Sequence, residues 1–256
     1  MMNKQDLTAN ITSYWDHHIH DLAIATHAVG TPGFFRQLDE YRYDKLNYLP
    51  RLVNFAAYQG KKLLEVGCGA GIDLVRFARA EADVTGIDLS QTSIDLARKN
   101  IEQNGLKADL RLMNGECMDF PDNTFDVVYA HGVLQYTADT GKMMAEIHRV
   151  LKPGGEAIVM VYNRNSWLNL MRQVTKVPLE HEDAPVLKKF SIGELKQLLL
   201  PFKNYRIIPE RFPVKTKLHS GWKARLFNDV FVGTFNLMPK AWVRSFGWHL
   251  MAFAVK

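Results

Sequence analysis

The strongest constraint on this chain is the stretch Glu65-Val66-Gly67-Cys68-Gly69-Ala70-Gly71, a glycine turn set between an apolar run and an amphipathic one. Lys62–Val66 reads as a strand, and the segment from Gly71 to about Ala80 as a helix. Glycines in such a turn permit positive φ and let the main chain approach a ligand with no Cβ in the way. The helix N-terminus behind them offers free N–H groups and partial positive charge. A dinucleotide fingerprint would be GxGxxG, but Ile72 occupies the place of its last glycine. The pattern is GxGxG after an acidic residue, and a pyrophosphate cradle is disfavoured.

Strands and helices keep alternating after the turn, as in a parallel sheet with crossover helices. Asp83–Asp88 is a second strand, Ser90 an N-cap for a helix to about Gln103, and Gly105 a residue just past its end. Ala108–Met113 and Phe125–Ala130 read as strands three and four. A helix from Thr140 to Leu151 stops at Pro153-Gly154-Gly155, and Glu156–Tyr162 is the fifth strand. Ser191 and Glu194 form a capping box, and strand-like Tyr205–Phe212 and Trp248–Val255 enclose an aromatic-rich helical stretch, Trp222–Phe246. The expected fold is α/β, one doubly wound, mostly parallel sheet. Residues 1–60 make an N-terminal helical cap, 61–162 the core, and 163–256 a C-terminal lid insertion with the remaining elements of the same domain.

Asp88 stands at the C-terminal tip of strand two, where a carboxylate accepts hydrogen bonds from ribose hydroxyls. Alone it reads equally as a solvated charge or a cap near Ser90. Beside the glycine turn, the ligand reading is favoured.

Composition removes several classes. With 256 residues, 47% of them hydrophobic, the chain is too apolar to be disordered. Its net charge of +5 is scattered rather than gathered on one face, so no nucleic-acid partner is expected. Cys68 and Cys117 fall in no CxxC or zinc spacing, which points to a reduced, cytoplasmic setting. The N-terminus has no apolar signal region and no run is long enough for a transmembrane segment, though surface membrane contact or a homodimer face stays open for the aromatic stretch.

The series LLEVGCGAGIDLVRFA, VTGIDLS, NGECMDFPDNTFDVVYAHGVLQYT and HRVLKPGGEAIVMVY resembles the class I S-adenosylmethionine-dependent methyltransferases, over about residues 60–162. Within them it is most similar to the small-molecule branch related to the ubiquinone/menaquinone methyltransferases. The resemblance implies a Rossmann-like seven-stranded sheet with an antiparallel last strand, and S-adenosylmethionine lying across the tips of strands one, two and four. It further implies that Glu65 and the backbone of Gly67, Gly69 and Gly71 surround the methionine end, with Cys68 in the same turn as a small packing residue. Asp88 would hold the ribose and Leu89 pack on the adenine, while Asn114-Gly115-Glu116 stands where the family often has Asp-Ala-Glu. An amide at Asn114 is a weaker acceptor for the adenine amine than Asp.

Methyl transfer from a sulfonium needs orientation and exclusion of water, worth about 7–11 kcal/mol, more than it needs a covalent catalyst. A hydroxyl or acidic carbon also needs a base. His131, just after strand four, is the candidate base; equally it lines the methionine pocket through its backbone. Tyr129, Gln135 and Tyr136 orient an acceptor or simply pack. His17, His20 and Asp21 share one helical face, which admits a metal site or a base delivered by the lid. The lid role is preferred and no metal is expected. Arg42 reaches the cofactor carboxylate or forms a surface ion pair, the second being the simpler reading. Candidate acceptor contacts are Trp15, His18, His20, Tyr41, Tyr136 and Tyr162. The expected activity is methylation of a small, apolar or aromatic metabolite at O or N. C-methylation of a quinone-like ring and non-catalytic cofactor binding are the alternatives, with an NAD-linked oxidoreductase the more distant one.

Overall fold

Val127, Val128, Tyr129 and Ala130 form a run with no polar alternation, and so do Ala157 to Val161; all are buried. Such runs become inner strands of a sheet covered on both faces. The computed structural model describes residues 4–175, 181–213, 229, 231–239 and 243–256. In chain order its elements are α1 (Lys4–His17), α2 (Pro32–Lys45), α3 (Leu49–Leu52), β1 (Lys62–Val66), α4 (Ile72–Arg79), β2 (Asp83–Asp88), α5 (Gln91–Gln103), β3 (Asp109–Leu112), β4 (Phe125–His131), α6 (Thr140–Val150), β5 (Leu151–Tyr162), α7 (Trp167–Thr175), α8 (Ile192–Leu198), β6 (Asn204–Glu210), α9 (Val232–Leu237) and β7 (His249–Val255). Trp222, Phe227 and Trp242 of the aromatic stretch lie outside the described residues.

The seven strands are ordered β3-β2-β1-β4-β5-β7-β6. The first five are parallel, and β7 runs antiparallel between β5 and β6. This is the Rossmann-like sheet of the class I methyltransferase fold. From β1 the chain moves outward to β2 and β3, then crosses back to β4. The crevice at that reversal, outside the carboxyl ends of the strands, is where ligands bind in open α/β sheets.

Local signals act as the sequence predicts at several ends. Ser90 accepts the Ser93 N–H at 3.1 Å and starts α5. Ser191 accepts the Glu194 N–H at 3.2 Å while Glu194 accepts the Ser191 N–H at 2.7 Å, a complete capping box. Two bounds differ. β3 is shorter than Ala108–Met113 by a residue at each end. β5 begins at Leu151, directly after α6, and not at Glu156. Leu151 pairs with Phe125 and Glu156 with Val127, so Lys152 to Gly155 bulge out of the ladder. Gly154, at φ +79°, supplies the left-handed residue of that bulge, and Pro153 donates nothing there.

The cap covers the rim of the sheet. The Thr92 hydroxyl in α5 donates to the Asp16 carbonyl at 3.0 Å, and Trp15 meets Tyr136 edge-on with centroids 5.0 Å apart. From the other side His181 brings its Nε2 to 3.0 Å from His20 Nδ1. Among the described residues no helix is long and apolar enough to cross a membrane.

Candidate active site at the strand tips

Under this cover a cavity runs along the strand tips, from Asp88 and Leu89 at β2 to Arg211 and His249 beyond β6 and at β7. Its glycine turn is fixed from below. The N–H groups of Gly67 and Cys68 donate to the Ile87 carbonyl at 2.7 and 3.1 Å. All three turn glycines have positive φ, but their surroundings differ. A Cβ on Gly67 would collide with Val133, and one on Gly71 would come within 3.2 Å of Ala97 in α5. A Cβ on Gly69 would meet nothing within 4 Å. Gly67 and Gly71 therefore serve close packing, and Gly69 leaves main chain open to a ligand.

Asp88 holds that turn, its Oδ2 accepting the Gly69 N–H and its Oδ1 the Ser90 N–H, both at 2.9 Å. Burial raises the Asp88 pKa, opposed by these N–H donors. Each carboxylate oxygen keeps a second lone pair for a hydroxyl donor. Glu65 is buried, and its Oε2 has no hydrogen-bond partner. Burial pushes its carboxyl well above the ordinary range, the Asp73 charge adds to this, and Arg42 opposes it. A buried acid with one unpartnered oxygen, beside an open main-chain cradle and a second acid, suits a ligand with a cationic end and a diol. S-adenosylmethionine has both, and the residues present fit it.

Asn114 and Glu116 line the cavity with part of their capacity used. Asn114 Oδ1 accepts the Glu116 N–H at 2.8 Å, and Glu116 Oε1 accepts the Asp139 N–H at 2.8 Å. Asn114 retains its NH2 and one lone pair on Oδ1, which suit a ring nitrogen and an exocyclic amine respectively. Gly115 is packed between Met143 and Val66. Cys68 is buried and its thiol is pushed up by burial, so it packs as an un-ionised side chain.

At the other end lies a polar network that sequence reasoning missed. Buried Asp73 accepts from Arg42 Nε at 2.7 Å, from Arg42 Nη2, and from the hydroxyls of Tyr43 and Tyr129, both at 2.8 Å. Burial works against its charge, yet Arg42 and Tyr43 hold its pKa well below the usual carboxylate range. Arg42 is thus in a buried ion pair and not a surface one, and it also lines the cavity. Its Nη2 also lies 3.2 Å from His131 Nδ1, and Tyr48 Oη lies 3.2 Å from His131 Nε2. Tyr48 Oη is in turn 2.6 Å from His249 Nδ1, and Arg211 Nη1 is 3.1 Å from His249 Nε2.

Proton counting fixes this chain. Arginine only donates, so His131 accepts at Nδ1 and His249 at Nε2. Each neutral ring then carries its proton on the other nitrogen and donates it to Tyr48 Oη. Both ring nitrogens of His131 are engaged, which does not leave the lone pair that a direct base needs. Burial first, and then Arg42, pushes His131 down to about 3.

Trp15, His18, His20, Tyr136 and Tyr162 line the same cavity, and Tyr41 and His17 do not. His18 stacks on Tyr14 at 3.9 Å and donates Nδ1–H to the Tyr14 carbonyl at 2.7 Å. Tyr41 instead lies under the Lys45 ammonium, 5.2 Å from its centroid. Gln135 is fully buried with both amide atoms unpartnered. Among the described residues no three His, Cys, Asp or Glu side chains gather as a metal site.

Residues 64–159 match the model of a family described as a methyltransferase domain. Over these residues, less than half of its length, the chain is similar to a methyltransferase domain, on the seven-stranded sheet described above. Its relatives include the ubiquinone biosynthesis O-methyltransferase of Rhodopseudomonas palustris, 38% identical over 106 residues, 41% of each chain. Another, of the same name, is from Bartonella tribocorum, 30% identical over 154 residues, 57% of this chain and 62% of that one. The chain thus spans between two fifths and about three fifths of these relatives' length. A SAM-dependent methyltransferase from Aquifex aeolicus shares the fold at TM-score 0.57 and 17% identity, over 88% of this chain and 98% of that one. So does one from Methanosarcina mazei, at TM-score 0.56 and 21% identity, over 81% and 97%. The methyltransferase domain accounts for the glycine turn, Asp88 and the strand tips up to β5. Tyr48, Arg211 and His249 lie outside it.

The buried His131 gives a pH signature. An unfolded histidine takes up its proton near pH 6.5, whereas this one resists to about pH 3. The folded state binds fewer protons in that window, so stability falls as pH drops through it, by about 1.4 kcal/mol per pH unit. Other groups titrate there too, so the comparison is with His131→Asn. Denaturant unfolding from pH 6.5 to 5 should show a steeper loss in the parent than in the variant. Equal slopes would contradict a buried neutral His131.

Proposed function

We propose that the protein is an S-adenosylmethionine-dependent methyltransferase acting on a hydroxyl of a small aromatic acceptor. The observation that carries this reading is the unpartnered Glu65 Oε2 beside Gly69 and Asp88, continuous with a cavity walled by Trp15, Tyr136 and Tyr162. The relatives named as O-methyltransferases favour oxygen as the acceptor atom. When bound, S-adenosylmethionine supplies a methyl group already activated on a sulfonium.

The chain's own residues bind, orient and exclude water. Glu65 meets the cationic end of the cofactor, Gly69 gives its main chain, and Asp88 takes the ribose hydroxyls. α1 and His181 close the cavity from above, keeping water from the acceptor. Trp15, Tyr136 and Tyr162 present ring edges and faces to an aromatic acceptor. Neutral His131 is fixed by Arg42 and Tyr48. Where an acceptor hydroxyl replaces Arg42 at Nδ1, His131 orients it and takes its proton. The two free cysteines fit a reducing compartment, and we place the enzyme in the cytoplasm.

The test is single-turnover transfer of labelled methyl from S-adenosylmethionine to a set of phenols and catechols. O-methylated product is expected, with His131→Ala slowing turnover more than it weakens cofactor binding. Tight cofactor binding with no transfer to any phenol would favour a binding protein without turnover.

A further inference from the structure

The acceptor end of the cavity holds a cation that the methyl-transfer reading does not use. Arg211 follows β6 directly, on the rim shared with the tips of β1, β4 and β5, and its side chain lines the cavity beside His249, Met160 and Tyr162. We infer that Arg211 docks the carboxylate of the acceptor, which makes the substrate class an aromatic acid. This rests on the methyltransferase reading and narrows its substrate.

Three observations carry it. The first is charge balance. Arg42 is neutralised by Asp73, Lys45 by Asp21 and Arg51 by Glu210. Among the described residues no carboxylate lies within ion-pair distance of Arg211, whose hydrogen bond runs from Nη1 to His249 Nε2 at 3.1 Å. One of its five donors is used there, and the remaining fork matches two coplanar oxygens.

The second is how firmly the residue is held. Arg211 sits at φ +57°, a left-handed conformation that an arginine adopts only when its surroundings impose it. Its carbonyl accepts the Trp167 indole N–H at 2.8 Å and the Trp248 N–H at 3.3 Å. These contacts fix the backbone from which the side chain reaches into the cavity.

The third is position. From β1 to β6 the order β1-β4-β5-β7-β6 counts four strand spacings, about 19 Å at the usual inter-strand distance. The methionine end of the cofactor, beside Glu65 on β1, is therefore remote from Arg211. His131 ends β4, about 14 Å away over three spacings. Side chains close most of that span, since His249 and Tyr48 link the Arg211 guanidinium to His131 and the two imidazole centroids are 5.8 Å apart. An aromatic acceptor lies over this row, its carboxylate at β6 and its reacting oxygen at β4. Burial, and next the Arg211 charge, hold His249 well below its ordinary pKa, so a neutral ring accompanies the cation.

A second source of the same chemistry is the carboxylate of the cofactor, and the experiment separates the two. The purified protein, alone and saturated with S-adenosylhomocysteine, is titrated calorimetrically with benzoate, 4-hydroxybenzoate and 4-hydroxycinnamate and with their methyl esters. Acids are expected to bind at least tenfold tighter than esters. Arg211→Met should abolish the preference and Arg211→Lys keep part of it, with unfolding temperature and S-adenosylhomocysteine affinity unchanged in both. Equal binding of acids and esters, or an intact preference in Arg211→Met, would overturn the inference. So would a loss of S-adenosylhomocysteine affinity in Arg211→Met, which would give the cation to the cofactor. If the parent fails to bind S-adenosylhomocysteine at all, the methyltransferase reading falls, and the acid preference of the protein alone still decides the role of Arg211.

Discussion

Asp73→Ala is expected to lower stability by about 3–5 kcal/mol, the usual cost of removing one partner from a buried ion pair. Asp73 is 2% exposed and accepts hydrogen bonds from Arg42, Tyr43 and Tyr129. Alanine would leave the Arg42 guanidinium without its carboxylate beneath the cap, and two phenols without their acceptor. The damage extends beyond stability, because Arg42 also donates to His131. Denaturant unfolding checks the magnitude. Asp73→Asn separates the causes: it keeps an acceptor for one of the two tyrosines but removes the charge that Arg42 needs. A loss below 1 kcal/mol in Asp73→Ala would mean that Arg42 finds another partner and that the network does not hold α2 to the sheet.

Glu65→Gln is expected to act in opposite directions on stability and on ligand binding. The folded-state pKa of Glu65 lies above its unfolded value, with burial the leading cause. The folded protein therefore holds the ionised carboxylate less well than the unfolded chain does, and near neutral pH this lowers stability. Glutamine removes that cost, so the ligand-free variant should unfold at a higher temperature than the parent near neutral pH. It also removes the charge that meets the cationic end of the cofactor. A charge-assisted hydrogen bond is worth about 1.5–3 kcal/mol, so S-adenosylhomocysteine should bind roughly ten- to a hundredfold more weakly. Thermal unfolding and calorimetry read the two effects separately. A variant less stable and equally tight in binding would show that Glu65 is a structural acid.

The cofactor half of the site was legible because its signals are local. A strand, three glycines and an acid at the next strand tip are set by short-range geometry, and Gly69 and Asp88 meet within one hydrogen bond. The sheet order was legible through the resemblance, since parallel strands with helical crossovers leave few topologies. The acceptor half was legible only in part: Trp15, His20, Tyr136 and Tyr162 line the cavity, but the polar network beside them was not foreseen. Asp73 sits in the first turn of α4, where an acid is common for the helix dipole alone, so nothing marked it out. Tyr48, Arg211 and His249 come from α3's border, the end of β6 and the start of β7, and only the fold brings them together. Arg42 carried a visible charge, but its burial against Asp73 needed long-range packing. The start of β5 at Leu151 was hidden by Pro153-Gly154-Gly155, which read as a stop and form a bulge instead.

The central claim is that a cofactor with a ribose diol and a cationic end lies across the tips of β1 and β2. Calorimetric titration of S-adenosylhomocysteine into the parent protein and into Asp88→Ala tests it most directly, with Asp88→Asn as the control whose single oxygen keeps one of the two N–H contacts from Gly69 and Ser90. The parent should bind, and Asp88→Ala should bind at least tenfold more weakly while remaining folded. Equal affinity in parent and Asp88→Ala, or binding of NAD in place of S-adenosylhomocysteine, would contradict it.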